Sequence, residues 1–283
     1  MHNVTITGTR GFLGKYVCDV ISRYHENIIP IPLFSGNNTF MTTEANDSEP
    51  ISLLEDALRS SSALLLLGTY SSCQPYDTHS QCTMQNVMLN MRLLQLAYTC
   101  GVRNILAIGT CFEFGLTAKN ETPLHPLSRL APVGSYPSSK AAFCILSLDW
   151  AREYSVNLIY SRLFQVYGRG EHPSRLFPLL LQKARTGENF EINQPNLIRD
   201  FMHASQAAHH IVESLISILD DKHTRYPRVE NICSGVGTTL INFASQIWRQ
   251  ENARGQIIVT PPIHTRAVDI PEIVGLPLNV FYE

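Results

Sequence analysis

The sequence contains no long hydrophobic run: nowhere do about 18 apolar residues follow one another, the length a membrane-crossing helix requires. Its N-terminus has no basic segment leading into a short apolar stretch, the pattern of a secretory leader, so a cytoplasmic protein is expected. An excess of one charge is also missing. Twenty-two basic residues face 24 acidic ones, a net of −2, which leaves no positive field for a nucleic acid or an anionic membrane. The seven cysteines are odd in number and show no CxxC spacing, which argues against a disulfide framework or a zinc ribbon and fits reduced thiols. His209 and His210 are adjacent, so on a helix they point about 100° apart and cannot chelate one ion from one face. No metal site is expected. Internal repeats and low-complexity tracts are lacking too, which excludes a solenoid.

What is present is an ordinary globular composition, 44% hydrophobic and 16% charged over 283 residues, enough for one large domain with a small appendage. Short apolar runs at Asn3 to Thr7, Ile28 to Phe34, Ala63 to Leu67, Asn104 to Ile108, Asn157 to Leu163 and Val229 to Cys233 read as buried strands. Between them, Phe12 to Tyr24, Ile51 to Arg59, Thr83 to Thr99, Ser135 to Tyr154 and His203 to Leu219 carry helical patterns. This alternation predicts an α/β fold, a doubly wound parallel (Rossmann) sheet, with a small α/β substrate lobe. Residues 1–165 form the nucleotide-binding part, with 197–235 returning to it; 166–196 and 236–283 supply the lobe.

The first strand runs into Thr7-Gly8-Thr9-Arg10-Gly11-Phe12-Leu13-Gly14 and then a helix. Gly8 permits the tight turn, Gly11 lets the backbone approach a pyrophosphate, and Gly14 lets helix and strand pack closely. The helix N-terminus at Phe12 and Leu13 offers unpaired N–H donors to the anion. In such sites the second strand normally ends in an acidic residue that bonds the adenosine ribose of NAD. Here it ends Leu33-Phe34-Ser35-Gly36-Asn37-Asn38, without a carboxylate. With Ser35 at that position and Arg10 able to pair with a 2′-phosphate, NADP is the expected cofactor and NAD the alternative.

Tyr136-Pro137-Ser138-Ser139-Lys140 sets a phenol and an ammonium four residues apart, on one face of a helix. The Lys140 cation is expected to favour phenolate and lower the pKa of Tyr136. The fourth strand ends in Gly109-Thr110-Cys111-Phe112-Glu113-Phe114-Gly115, where an open parallel sheet presents its chemistry. Thr110, Tyr136 and Lys140 after a nucleotide loop make a site for polarising a carbonyl during a redox reaction.

On these motifs the chain resembles an extended short-chain dehydrogenase/reductase of the NAD(P)-dependent nucleotide-sugar epimerase/dehydratase family, over nearly its whole length. Further matches are Gly68 after the third strand, Asn86-Val87-Met88-Leu89-Asn90, Arg162-Leu163-Phe164-Gln165-Val166-Tyr167-Gly168 and Ile198-Arg199-Asp200-Phe201. The resemblance implies a catalytic triad of Thr110, Tyr136 and Lys140, with Tyr136 and Lys140 also binding the cofactor, Lys140 through its ribose, and a cofactor role for Gly68. It also implies that Cys111, Phe112, Phe164, His172 and Arg175 meet the substrate. Arg199 and Arg266 are implied to meet its diphosphate, and Pro173 to Pro178 and Phe190 to Ile192 to border the base. A homodimer through the Thr83 to Thr99 and Ser135 to Tyr154 helices is a further expectation of this kind.

The reaction is narrowed by departures from the family pattern. Related dehydratases carry an acid three residues before Gly115, where this chain has Phe112. Glu113 is one step late, and on an extended segment it would point to the opposite face. Epimerisation at carbon 3 or 5 requires an acid/base pair, for which Cys111 and His172 are the candidates, although Cys111 stands one position from the related cysteine. The remaining reading is NADPH-dependent reduction of the 4-keto group of a dTDP- or CDP-linked 4-keto-6-deoxy sugar. The alternative is an NAD-dependent 4-epimerase. A redox-silent NADP-binding module would lose part of the triad, and all three members are present.

Overall fold

The computed structural model describes residues 1–33, 48–220, 227–261 and 270–277. In chain order the large layer comprises β1 (His2–Thr7), α1 (Phe12–Tyr24), β2 (Ile28–Leu33), α2 (Ser48–Arg59), β3 (Ala63–Leu66), α3 (His79–Thr83), α4 (Leu89–Thr99), β4 (Asn104–Thr110), α5 (Ser135–Glu153) and β5 (Asn157–Leu163). The chain continues through β6 (Gln165–Tyr167), α6 (Leu176–Thr186), β7 (Phe190–Ile192), β8 (Ile198–His203), α7 (Ala204–Asp220) and β9 (Arg228–Ile232). The last elements are β10 (Gly237–Thr239), α8 (Leu240–Gln250), β11 (Ile257–Val259) and β12 (Glu272–Ile273).

Among the described residues, β2-β1-β3-β4-β5-β9 form one parallel sheet. Its strands are continuous apolar runs because both faces are covered, so alternate residues enter different cores. Ala63, Leu65, Leu106 and Ile108 pack with α1 and α7, whereas Leu64, Leu66, Ile105 and Ala107 pack with α2, α4 and α5. Strand β2 carries Pro30 and Pro32, which lack the N–H of a ladder donor, and it accordingly lies at the sheet edge. The strand order reverses between β1 and its neighbours β2 and β3, opening a crevice at their carboxyl ends.

The second sheet joins segments far apart in sequence: β8 pairs with β6, β10 and β12. Thus, within residues 197–235, α7 and β9 lie in the large layers and β8 lies in the smaller sheet. A separate pair, β7 with β11, sits beside α6 and α8, whose apolar faces meet at Leu180, Ala184, Phe243 and Ile247. The Phe201 and Phe243 rings stack at 3.9 Å and weld β8 to α8.

Two local departures from the sequence expectation bear on the site. The expected helix Thr83 to Thr99 begins at His79 and contains a π-turn at Met84–Met88. The Asn86 side chain is drawn out of the helix to bond the Tyr70 backbone, and Asn90 Nδ2 caps the Asn86 carbonyl at 3.0 Å. The segment after Thr110 is not extended. It coils into 3₁₀ turns at Cys111–Glu113 and Gly115–Lys119.

Asp200, fully buried, binds the smaller sheet to the end of β9. Its carboxylate accepts from Ser234 N (2.8 Å), Ser234 Oγ (2.6 Å), Gly235 N (2.9 Å) and Gly275 N (3.3 Å). Asp200→Ala leaves those buried donors unpaired and is expected to cost about 3 kcal/mol or more. Urea unfolding checks this; a loss below about 1 kcal/mol would mean that water replaces the carboxylate.

Candidate active site

A cleft of about 550 Å³ opens over the carboxyl ends of β1, β3 and β4. Its size suits a small organic ligand. One wall is the glycine loop. Gly8 has φ +75°, and a Cβ there would stand 2.8 Å from the Gly68 backbone, so the β1 and β3 ends approach as only glycine allows. A Cβ at Gly14 would fall 2.1 Å from the Gly8 carbonyl oxygen, which explains the third glycine. Thr7 Oγ1 accepts from Leu67 N and Gly68 N at 3.1 and 2.9 Å and locks this approach.

The N-terminus of α1 has no side-chain cap and no acidic residue in its first turn, and Thr9 Oγ1 is buried without a partner. Free N–H donors, a helix dipole and close-packed glycines fit an anionic pyrophosphate. Gly8, Gly11, Phe12, Leu13, Gly14 and Gly68 all line the cleft. Arg10 is exposed and lies off its wall. Ser35, with the rest of the second-strand end from Phe34 onward, lies outside the described residues, as does Arg266.

The catalytic candidates meet on the opposite wall. Gly134, with φ +100°, turns the chain into α5, which delivers Tyr136 to the cleft. The Thr69 and Thr110 side chains flank the phenol, and its ring lies 5.4 Å from that of Tyr76. Asn86 Nδ2 reaches Ser139 Oγ at 3.0 Å, tying the α3–α4 segment to the turn of α5 that bears Tyr136. Burial pushes the Tyr136 pKa up, and the two threonine hydroxyls only partly oppose it. This corrects the expectation of a phenol lowered by Lys140. Lys140 is itself buried, which depresses its own pKa; its Nζ donates to the Ile108 carbonyl at 2.7 Å, beneath the cleft rather than on its wall.

Glu113 faces away from the cleft, for a reason different from the expected alternation. The 3₁₀ turn folds it back under Thr110, where Oε1 accepts from Thr110 N at 2.8 Å and Tyr160 Oη at 2.9 Å. Oε2 pairs with Arg162 at 2.8 Å. Cys111, Phe112, Phe164, His172 and Arg175 line the cleft. Burial raises the Cys111 thiol to about 12, and His172 is exposed with Nδ1 2.8 Å from Ser174 Oγ. Arg199 lies off the cleft wall, its Nη1 donating to the Ile198 and Pro271 carbonyls at 2.7 and 3.3 Å. Pro173 to Pro178 lead into and begin α6, and of them only Arg175 lines the cleft; Phe190 to Ile192 form β7, outside it.

Sequence reasoning missed Thr69 and Glu171. Thr69 directly follows Gly68, and Glu171 stands four residues before Arg175, the spacing of a helical ion pair; these were the available signals. Among the described residues no cluster of three or more His, Cys, Asp or Glu could hold a metal, and no helix is long and apolar enough to cross a membrane.

Comparison with known proteins adds the lineage. A dTDP-6-deoxy-L-talose 4-dehydrogenase (NAD(+)) of Aggregatibacter actinomycetemcomitans is 23% identical over 261 residues, 89% of this chain and 92% of that protein. The structure of RMD from Pseudomonas aeruginosa complexed with NADPH superposes with a TM-score of 0.78 at 19% identity, covering 99% of this chain and 91% of the other. UDP-glucose 4-epimerase of Thermotoga maritima, solved with UDP-glucose, gives 0.77 at 18% identity, covering 98% and 91%. At such identities these structures establish the fold. The sequence model of the NAD-dependent epimerase/dehydratase family matches residues 4–225, and this chain belongs to that family.

Proposed function

We propose that the protein is a reductase that uses NADPH to convert the 4-keto group of a nucleotide-activated 4-keto-6-deoxy sugar, dTDP- or CDP-linked, to an alcohol. The observation that carries this reading is the placement of the Tyr136 phenol on the cleft wall beside Thr69 and Thr110, across from the glycine loop. A neutral phenol is a proton donor, which is what a carbonyl oxygen needs as its carbon is reduced. When bound, a reduced nicotinamide supplies the two electrons. Tyr136 Oη delivers the proton to the carbonyl oxygen, and Thr110 and Thr69 orient the phenol. Lys140 secures the β4 end beneath it through Ile108.

Elimination and epimerisation at carbon 3 or 5 are less well served by the described residues. The Glu113 carboxylate is committed to Arg162, Tyr160 and the Thr110 backbone, so it cannot reach a sugar as an elimination acid. Cys111, with its thiol pushed up to about 12, is a weak acid/base at neutral pH. Support for the substrate class comes from the talose 4-dehydrogenase, whose name describes the same carbonyl and alcohol interconversion. The absence of a carboxylate across Leu33 to Asn38 favours NADPH. Redox-neutral 4-epimerisation would also use Thr110, Tyr136 and Lys140, and the fold shared with UDP-glucose 4-epimerase keeps it as the second reading. A cytoplasmic homodimer is part of the proposal: Met84, Met88, Ile145 and Leu146, on the two segments expected at the interface, are exposed apolar side chains.

Incubating the protein with NADPH and a dTDP- or CDP-linked 4-keto-6-deoxy sugar should give stoichiometric loss of absorbance at 340 nm, with a lower KM for NADPH than for NADH. Turnover without net coenzyme consumption would establish the epimerase instead. Tyr136→Phe should lower kcat by about 10²- to 10⁴-fold while NADPH affinity, followed by fluorescence, stays near that of the parent. Loss of NADPH binding would make the residue structural. Run in D₂O, the reaction should leave no enzyme-dependent deuterium on sugar carbons 3 and 5; its appearance there would return Cys111 and His172 to an epimerising role.

A further inference from the structure

We infer that Glu171 is a specificity-determining residue whose free carboxylate oxygen, Oε2, accepts a hydrogen bond from a hydroxyl of a bound ligand, the hexose of the sugar nucleotide or the ribose of the coenzyme. The inference deepens the function proposed above and rests on it for the hexose. The Glu171 side chain is only 7% exposed, and its Oε1 pairs with Arg175 Nε at 3.0 Å. Its Oε2 is buried and has no partner. An acceptor shut off from water without a donor is destabilising, and such atoms in native proteins ordinarily answer to a ligand or an ordered water. Three other described side chains carry an atom in this state, Thr9, Asn157 and Asn231, and of the four residues only Glu171 lines the active-site cleft.

The segment that carries the carboxylate is anchored at both ends. Tyr16 Oη donates to the Arg169 carbonyl at 3.1 Å, fastening the Gly168 to Arg175 segment to α1. Glu171 N donates to the Gly168 carbonyl at 3.3 Å, and Arg175 Nη1 reaches the Ser72 carbonyl at 3.4 Å across the cleft mouth. The backbone here is therefore anchored between the nucleotide loop and the segment after β3, and the Glu171 side chain it carries lines the cleft. It also belongs to the catalytic side, because Glu171 and Arg175 line the same cleft as Tyr136.

The chemistry of the free oxygen selects its partner. Arg175 satisfies only Oε1, so Oε2 keeps acceptor character and repels a phosphate; it calls for a neutral donor. Hydroxyls are the donors that both a hexose and a ribose present. Burial raises the Glu171 pKa, and the Arg175 guanidinium opposes this. A site that bonds a hydroxyl in this way rejects the deoxygenated analogue, because the buried acceptor is then left unpaired.

The test is calorimetric binding to the full-length protein and its Glu171→Gln variant, with NADPH, dTDP-glucose, UDP-glucose and CDP-glucose as probes, and with the 2-deoxy and 3-deoxy forms of each nucleotide sugar that binds. The variant should bind the glucose nucleotide about tenfold or more weakly and NADPH within about twofold of the parent. That loss should shrink for the analogue missing the bonded hydroxyl, a dependence that a purely structural glutamate would not produce. A loss confined to NADPH assigns the ribose as partner. Unchanged affinity for both ligand classes in a variant that melts like the parent overturns the inference. If the parent binds NADPH but none of the nucleotide sugars, the proposed function fails while the NADPH titration still decides the role of Glu171. Should Glu171→Gln fail to fold, Glu171→Asp keeps the charge opposite Arg175, withdraws the oxygen by one methylene and is read by the same titrations.

Discussion

The floor of the cleft depends on one buried ion pair. Glu113 and Arg162 are both almost entirely removed from water, a placement that is costly unless nearly every lone pair and proton finds a partner. Here they do: Thr110 N and Tyr160 Oη bond one carboxylate oxygen, Arg162 Nε the other, and the remaining Arg162 groups reach the Pro126 carbonyl and Cys144 Sγ. Tyr160 Oη also lies 3.0 Å from the Lys140 carbonyl, so the same knot joins β4, β5 and α5. Its compactness dictates a neighbour. A Cβ at Gly109 would stand 2.3 Å from the Tyr160 ring and 2.5 Å from Glu113 Oε1.

Burial and neighbouring charge compete for the Tyr136 proton, and in this site burial wins. Lys140 shares a helix face with the phenol, yet its ammonium is spent on the Ile108 carbonyl and is itself poorly tolerated where it lies. The groups that moderate the phenol are uncharged hydroxyls, Thr69 and Thr110. The resulting acid is suited to the direction in which a ketone takes up a proton. Burial likewise holds the Cys111 thiol protonated on the same cleft wall.

Sequence patterns revealed the large sheet because its physics is local. Each strand is a short apolar run covered on both faces, and each helix repeats its apolar positions within a few turns. The Gly8, Gly11 and Gly14 spacing was legible for the same reason, since one turn imposes all three requirements. The smaller sheet was not: β12 contributes two residues and pairs with Arg199 and its neighbour some seventy positions earlier, so no local pattern announces the partner. The π-turn at Asn86, the folding-back of Glu113 and the submerged position of Lys140 were equally hidden, because each is decided by a contact from another strand or loop.

The two prolines of β2 have an effect beyond marking a border. Residues two apart in a strand turn the same side of the backbone outward, so Pro30 and Pro32 delete successive donors from a single side. Since β2 keeps its pairing with β1, the depleted side is the one turned away from β1. An incoming peptide would find this margin unable to complete its hydrogen bonds, and the sheet is thereby protected from sticking to a second sheet and from seeding fibrous aggregates.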